Sequence, residues 1–271
     1  MPRDGAGLEF EPLTTAIGSA VHGVDLGNLD EETFAAIHAA FLARCMLVFP
    51  GQKFASDAFL AFAKRWGEVM VTPMLTNTLP GYPGILLVRN RGKQGTATEY
   101  WHTDSPFLEN PPAITILAAR ELPPTGGDTM WCNQYAAYES LSDGMKALLG
   151  GRRVKYSGAK MAARTGHSGE IPFTYHPAVR THPETGRKAL FIGNAQLTPS
   201  FEGMTEEESR PLLDYLYQLG PNPDRMYRHR WRQGDVVMWD NRCCMHYAVH
   251  DYGDDTVRDM HRITIAGERP A

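Results

Sequence analysis

The chain has 271 residues, 42% of them hydrophobic, with 26 glycines, 19 prolines and 4 cysteines, and a formal net charge of −4. That length admits one large domain or two small ones, with enough apolar residues for a sizeable core. The mild acidity excludes a general case for nucleic acid or an anionic membrane as partner, so any anion must be held by local arginines.

Met1 to Ala20 has no basic stretch leading into an apolar run, and nowhere do about 18 apolar residues run together. Neither a secretory signal nor a membrane span is expected. Cys45, Cys132, Cys243 and Cys244 make no CxxC pair and no regular framework, which reads as reduced thiols in a cytoplasm.

Asp30 is placed to cap a helix whose Phe34, Ile37, Phe41 and Leu42 recur at helical spacing. Cys45 to Phe49 is a short apolar strand stopped by Pro50-Gly51, and Ser56 opens a second amphipathic helix bearing Phe59, Phe62, Ala63 and Trp66. These elements, about 1–84, read as a helical and strand-bearing cover. From Ile85 the pattern changes to short β runs: Ile85 to Arg89, Tyr100 to Asp104, Ala113 to Ala119 and Asp128 to Cys132. Helical pieces are expected within Tyr135 to Leu149. The stretch 156–174 has no clean period and is either a lid or an ordinary surface loop. Val179 to His182 and Lys188 to Ile192 make a hairpin about Pro183-Glu184-Thr185-Gly186. Thr205-Glu206-Glu207-Glu208 is a capping-box sequence before Leu212, Leu213, Leu216 and Leu219. Tyr227 to Trp231, Val236 to Trp239 and His261 to Ala266 close the series. Many short strands with sparse helices predict a single mainly β domain over 1–271 with flanking helices, built on a jelly-roll or double-stranded β-helix core.

Within this pattern stands Trp101-His102-Thr103-Asp104, answered downstream by Trp239-Asp240-Asn241-Arg242 and His246. Residues i and i+2 of a strand share a face, so His102 and Asp104 can address one metal ion together. A second imidazole from a distant strand makes two histidines and one carboxylate on one side of the ion, an arrangement typical of non-haem Fe(II) oxygenases. The same donor set also suits a hydrolytic zinc site, and by composition His250 rivals His246.

The blocks Trp101-His102-Thr103-Asp104, Gly126-Gly127-Asp128-Thr129, Thr181-His182-Pro183-Glu184-Thr185-Gly186-Arg187, Trp239-Asp240-Asn241-Arg242 with His246-Tyr247-Ala248, and His261-Arg262 occur in order. Together they resemble the taurine dioxygenase/2,4-dichlorophenoxyacetate dioxygenase family across nearly the whole chain. The resemblance implies an enzyme dependent on Fe(II), 2-oxoglutarate and O₂ that oxidises a C–H bond and releases succinate and CO₂. It maps the metal ligands onto His102, Asp104 and His246, favouring His246 over His250. It maps the grip on the 2-oxoglutarate distal carboxylate onto Arg258, assisted by Thr129. Arg262 would face an acidic group of the primary substrate, a small carboxylate, sulfonate or sulfate ester, beside Thr72, Ser105 and Leu197. Thr72 stands where a sulfonate-binding histidine is expected, and the run Gly193 to Leu197 lacks an expected aromatic residue, which argues against taurine itself. A homo-oligomer, dimer or tetramer, is the family expectation. Two alternatives stay open: the same iron chemistry in natural-product or amino-acid biosynthesis, and a non-catalytic β-helix protein that keeps a metal.

Overall fold

The computed structural model describes residues 7–53, 55–71, 77–91, 99–166, 169–194 and 196–271. Strands β1 (Glu9–Pro12) and β2 (Ser19–His22) pair antiparallel and lead to helix α1 (Glu31–Arg44). The Asp30 carboxylate accepts from the Thr33 amide at the start of α1, and Cys45 ends it in the left-handed conformation. Then come β3 (Met46–Phe49), α2 (Ser56–Lys64), β4 (Thr78–Leu79), β5 (Tyr82–Arg91), β6 (Ile114–Glu121) and β7 (Thr129–Asn133). The middle of the chain carries α3 (Gln134–Glu139), α4 (Asp143–Leu149), β8 (Arg153–Ser157), α5 (Ala159–Thr165), β9 (Phe173–Pro177), β10 (Val179–Thr181) and β11 (Lys188–Leu190). Helix α6 (Glu206–Leu219) opens with the Thr205/Glu208 capping box and buries Leu213 and Leu216. Strands β12 (Met226–His229), β13 (Val236–Asp240), β14 (Cys244–Ala248) and β15 (Val257–Ile265) follow.

The protein is mainly β, with few helices. Eight strands join in the order β1-β2-β3-β13-β6-β15-β5-β4, and β12-β7-β14 form a smaller sheet. The period of two sorts side chains between the two faces of the large sheet. Val236 and Met238 of β13, Ile114 and Ile116 of β6, and Ile263 and Ile265 of β15 pack beneath α1 and α2, against Phe41, Phe59 and Phe62. The alternate residues Val237, Trp239, Leu117, Ala119 and Met260 turn the other way, into a cluster with Trp131 of β7 and Cys244 of β14. On β15 the even-numbered Arg258 and Arg262 share the face of Met260, so this strand carries both arginines toward the smaller sheet.

The N-terminal segment extends the large sheet, since β2 lies parallel to β3 and β3 pairs with β13. Two expectations need correction. Tyr100 to Asp104 is not a strand: only His102 pairs, in a lone antiparallel bridge with His246. The stretch 156–174 is not structureless, since it contains the end of β8, all of α5 and the start of β9, with Tyr156 opposite Thr174. Helix α5 has only 7 residues, too few to show a sequence period.

Candidate active site

The lone bridge assembles the centre. The His102 amide donates to the His246 carbonyl at 3.0 Å and the His246 amide to the His102 carbonyl at 2.8 Å, which brings the ring centroids within 4.1 Å. His102 Nδ1 lies 2.8 Å from the Tyr100 carbonyl oxygen, so that nitrogen carries the proton and Nε2 keeps its lone pair. Asp104 Oδ1 is 3.8 Å from His246 Nε2. One donor atom from each of His102, Asp104 and His246 falls within 4.8 Å of the others, and all three residues are buried. Asp104 thus joins the two imidazoles from a bend after the bridge, rather than through strand alternation.

The charges suit a divalent cation. Burial alone would raise the Asp104 carboxyl, but Arg262, His246 and His102 outweigh it and hold the group well below the usual carboxylate range. Burial depresses both imidazoles, and for His246 the neighbouring His102 adds to the effect. Two neutral nitrogens and one anionic oxygen therefore converge, with His246 Nδ1 buried and unpartnered among the described residues. These groups fit a non-haem iron ion.

Buried hydrogen bonds orient the carboxylate. Thr115 Oγ1 donates to Asp104 Oδ2 at 2.6 Å, and Asn241 Nδ2 donates to Thr115 Oγ1 at 2.9 Å. Trp239 Nε1 donates to Asn241 Oδ1 at 3.1 Å while its rings lie 4.7 Å from that of His246. Thr115 escaped the sequence reading. Its one signal is a single hydroxyl within the apolar run Ile114-Thr115-Ile116-Leu117. Asp240 points elsewhere: it binds His182 Nε2 at 2.9 Å and the Arg242 guanidinium at 2.8 Å, and Arg242 reaches Glu184 at 2.8 Å. Together these residues brace the β13–β14 turn behind the metal ligands.

Arg258 is 4% exposed, and no carboxylate pairs with it among the described residues. Burial lowers its pKa to about 10, which leaves it cationic at neutral pH. Its Nε donates to the Gly127 carbonyl at 2.9 Å and its Nη2 to Thr129 Oγ1 at 3.2 Å. Trp231 Nε1, also missed from sequence, donates to the same oxygen at 3.0 Å. With both its lone pairs engaged, the Thr129 hydroxyl keeps its proton for an external acceptor. Thr129 stands opposite Ala248, two residues along β14 from His246.

Arg262 Nη2 lies 2.8 Å from Asp104 Oδ1, and its Nε is buried without a partner among the described residues. A recess lined by Met70, Leu86, Ser105, Pro112, Arg262 and Thr264 opens beside this pair. Ser105 takes a φ of 42°, unusual for a residue with a Cβ. Leu197 is buried in a separate cluster with Tyr156 and Phe191, and Thr72 lies outside the described residues. His250 sits 3.5 Å from Glu99 and takes no part in the triad.

A family model described as "Taurine catabolism dioxygenase TauD, TfdA family" matches residues 9–264. The chain is 34% identical to the alpha-ketoglutarate-dependent sulfate ester dioxygenase of Pseudomonas putida, over 97% of this chain and 91% of that one. It is 31% identical to the (S)-phenoxypropionate/alpha-ketoglutarate-dioxygenase of Delftia acidovorans, over 89% of each. The crystal structure of a taurine dioxygenase from Burkholderia xenovorans superposes with a TM-score of 0.86 at 33% identity, covering 97% of this chain and 92% of that one. The chain belongs to the TauD/TfdA family. It is an oxidoreductase, a dioxygenase that uses Fe(II), 2-oxoglutarate and O₂.

Proposed function

We propose that this enzyme oxidises a C–H bond of a small organic anion, a carboxylate, sulfonate or sulfate ester, with release of succinate and CO₂. His102, Asp104 and His246 hold the iron, which when bound supplies the oxidising chemistry. Arg258 and Thr129 hold the distal carboxylate of 2-oxoglutarate. One observation carries the reading: a buried guanidinium with no ion-paired carboxylate among the described residues, next to a hydroxyl whose oxygen already accepts two hydrogen bonds. An uncompensated buried cation costs several kcal/mol, and a bound carboxylate removes that cost through charge-assisted hydrogen bonds. Arg262 and the recess with Ser105 receive the anionic end of the substrate, and the substrates named for the Pseudomonas and Delftia relatives are anions of this kind.

We assign the whole chain to one domain, with the eight- and three-stranded sheets as the two halves of a double-stranded β-helix. Helix α5 acts as the lid: Lys160 Nζ lies 3.5 Å from the Tyr100 ring centroid and 2.6 Å from Gln196 Oε1, so α5 rests on the segment leading to His102. No helix among the described residues is long and apolar enough to cross a membrane, and four free cysteines suit a reducing cytoplasm.

The test is an anaerobic titration of the Fe(II) protein with 2-oxoglutarate, followed by the visible charge-transfer band, alongside Arg258→Ala. The variant should need about tenfold or more 2-oxoglutarate while binding iron normally. An unchanged requirement removes Arg258 from the co-substrate site. Succinate release with a panel of carboxylates, sulfonates and sulfate esters then identifies the substrate class.

A further inference from the structure

The sulfurs of Cys45, Cys243 and Cys244 lie within 4.8 Å of one another, and all three residues are buried. Two chain reversals bring them together. Cys45 ends α1 with a φ of 66°, at a position that glycine usually fills because a Cβ is strained there. Cys243 closes the turn after β13 and Cys244 opens β14. Adjacent residues within a strand would point to opposite faces; the turn lets these two converge. Three sulfurs around one metal ion at about 2.3 Å are spaced about 4 Å apart, inside the observed spread. A recess bordered by Gln134, Leu190, Asn241, Cys243 and Cys244 adjoins the cluster.

We propose that Cys45, Cys243 and Cys244 form a second metal site that takes one soft, thiophilic ion of the Cu(I) class. Thiolates select such ions, whereas the nitrogen and oxygen donors of His102, Asp104 and His246 suit Fe(II). Binding replaces the thiol protons, which leave to solvent, and changes no oxidation state. Occupancy ties the end of α1 to the first residue of β14, the strand that carries His246.

Cu(I) is titrated anaerobically into the reduced full-length protein, with Mn(II) filling the first site, against a chromogenic Cu(I) chelator. X-ray absorption reads the ligands of the bound ion. One equivalent held by three sulfurs is expected, weakened about tenfold or more in Cys45→Ser and Cys243→Ser. Cys132→Ser, a buried thiol outside the cluster, should bind as the unaltered protein does. No uptake against the chelator, nitrogen or oxygen ligands, or equal affinity in folded Cys45→Ser and Cys243→Ser overturns the site. Near-UV circular dichroism checks that each variant is folded; if either is not, the ligand shell in the unaltered protein decides.

Discussion

Asp104 shows how much of this site depends on single contacts. A buried carboxylate is stable here because a hydroxyl, a guanidinium and two imidazoles surround it. Thr115→Val keeps the shape but removes the donor to Oδ2. Groups that orient a ligand are commonly worth about 10–100-fold in metal affinity, so Mn(II) affinity by calorimetry should fall at least by the lower figure. The same affinity as the parent would show that Thr115 does not position Asp104. The two imidazoles impose a pH dependence of their own. Both are held below the ordinary histidine value of 6.5 by burial. As pH falls through that value the unfolded chain takes up protons that the folded chain refuses, so folding loses free energy. Asp104, held low, adds stability above the ordinary carboxylate value of 3.8 and loses it only as pH falls below that value, outside the window of the imidazoles. Metal-free protein should therefore melt at a lower temperature at about pH 5 than at about pH 7, with a weaker drop in His246→Asn. A flat profile would contradict the burial of these rings.

Among the elements, the turn between β6 and β7 is the one that packs against Arg258. Gly127 has a φ of 75°, and a Cβ there would sit 3.1 Å from Arg258 Cδ and 3.2 Å from Pro123 Cγ. Gly127→Ala adds backbone strain of about 1–2 kcal/mol and pushes on Arg258. Its 2-oxoglutarate requirement should rise while Mn(II) binding stays as it was; a rise in both would place the damage in the fold rather than at Arg258. Element legibility followed locality. The Asp30 cap and the Thr205/Glu208 capping box depend on neighbours three residues apart, and both were readable. Strands β1, β2, β8 and β9 were not read as such; each is short, and its identity comes from its pairing partner. Trp101 to Asp104 misled for the opposite reason: it has the composition of a strand but a single pairing partner.

The molecule as a whole couples its ligands to the docking of its sheets. Arg258 belongs to β15 in the large sheet and Thr129 to β7 in the small one, and one carboxylate between them would bridge both. A ligand that binds only the folded state at about 100 times its Kd stabilises it by about 2.7 kcal/mol. Mn(II) should therefore raise the melting temperature, and 2-oxoglutarate should raise it further. In Arg258→Ala the Mn(II) increment should survive and most of the second increment should vanish. A full second increment in the variant would mean that 2-oxoglutarate is held elsewhere.

The family, and the three residues that form the His-Asp-His cluster, were legible in the sequence. Histidine, aspartate, threonine and arginine have fixed donor and acceptor chemistry, and their ordered blocks carried the family resemblance, now matched over residues 9–264. Where those side chains point was decided by tertiary structure. Thr129 and Arg258 meet across 129 residues of chain, and Thr115 reaches Asp104 across 11, through strand pairings that no local pattern records. Arg262 is the clearest case. The resemblance pointed it at a substrate anion; only the fold adds that one of its nitrogens lies 2.8 Å from Asp104 Oδ1, a long-range contact that no local pattern records.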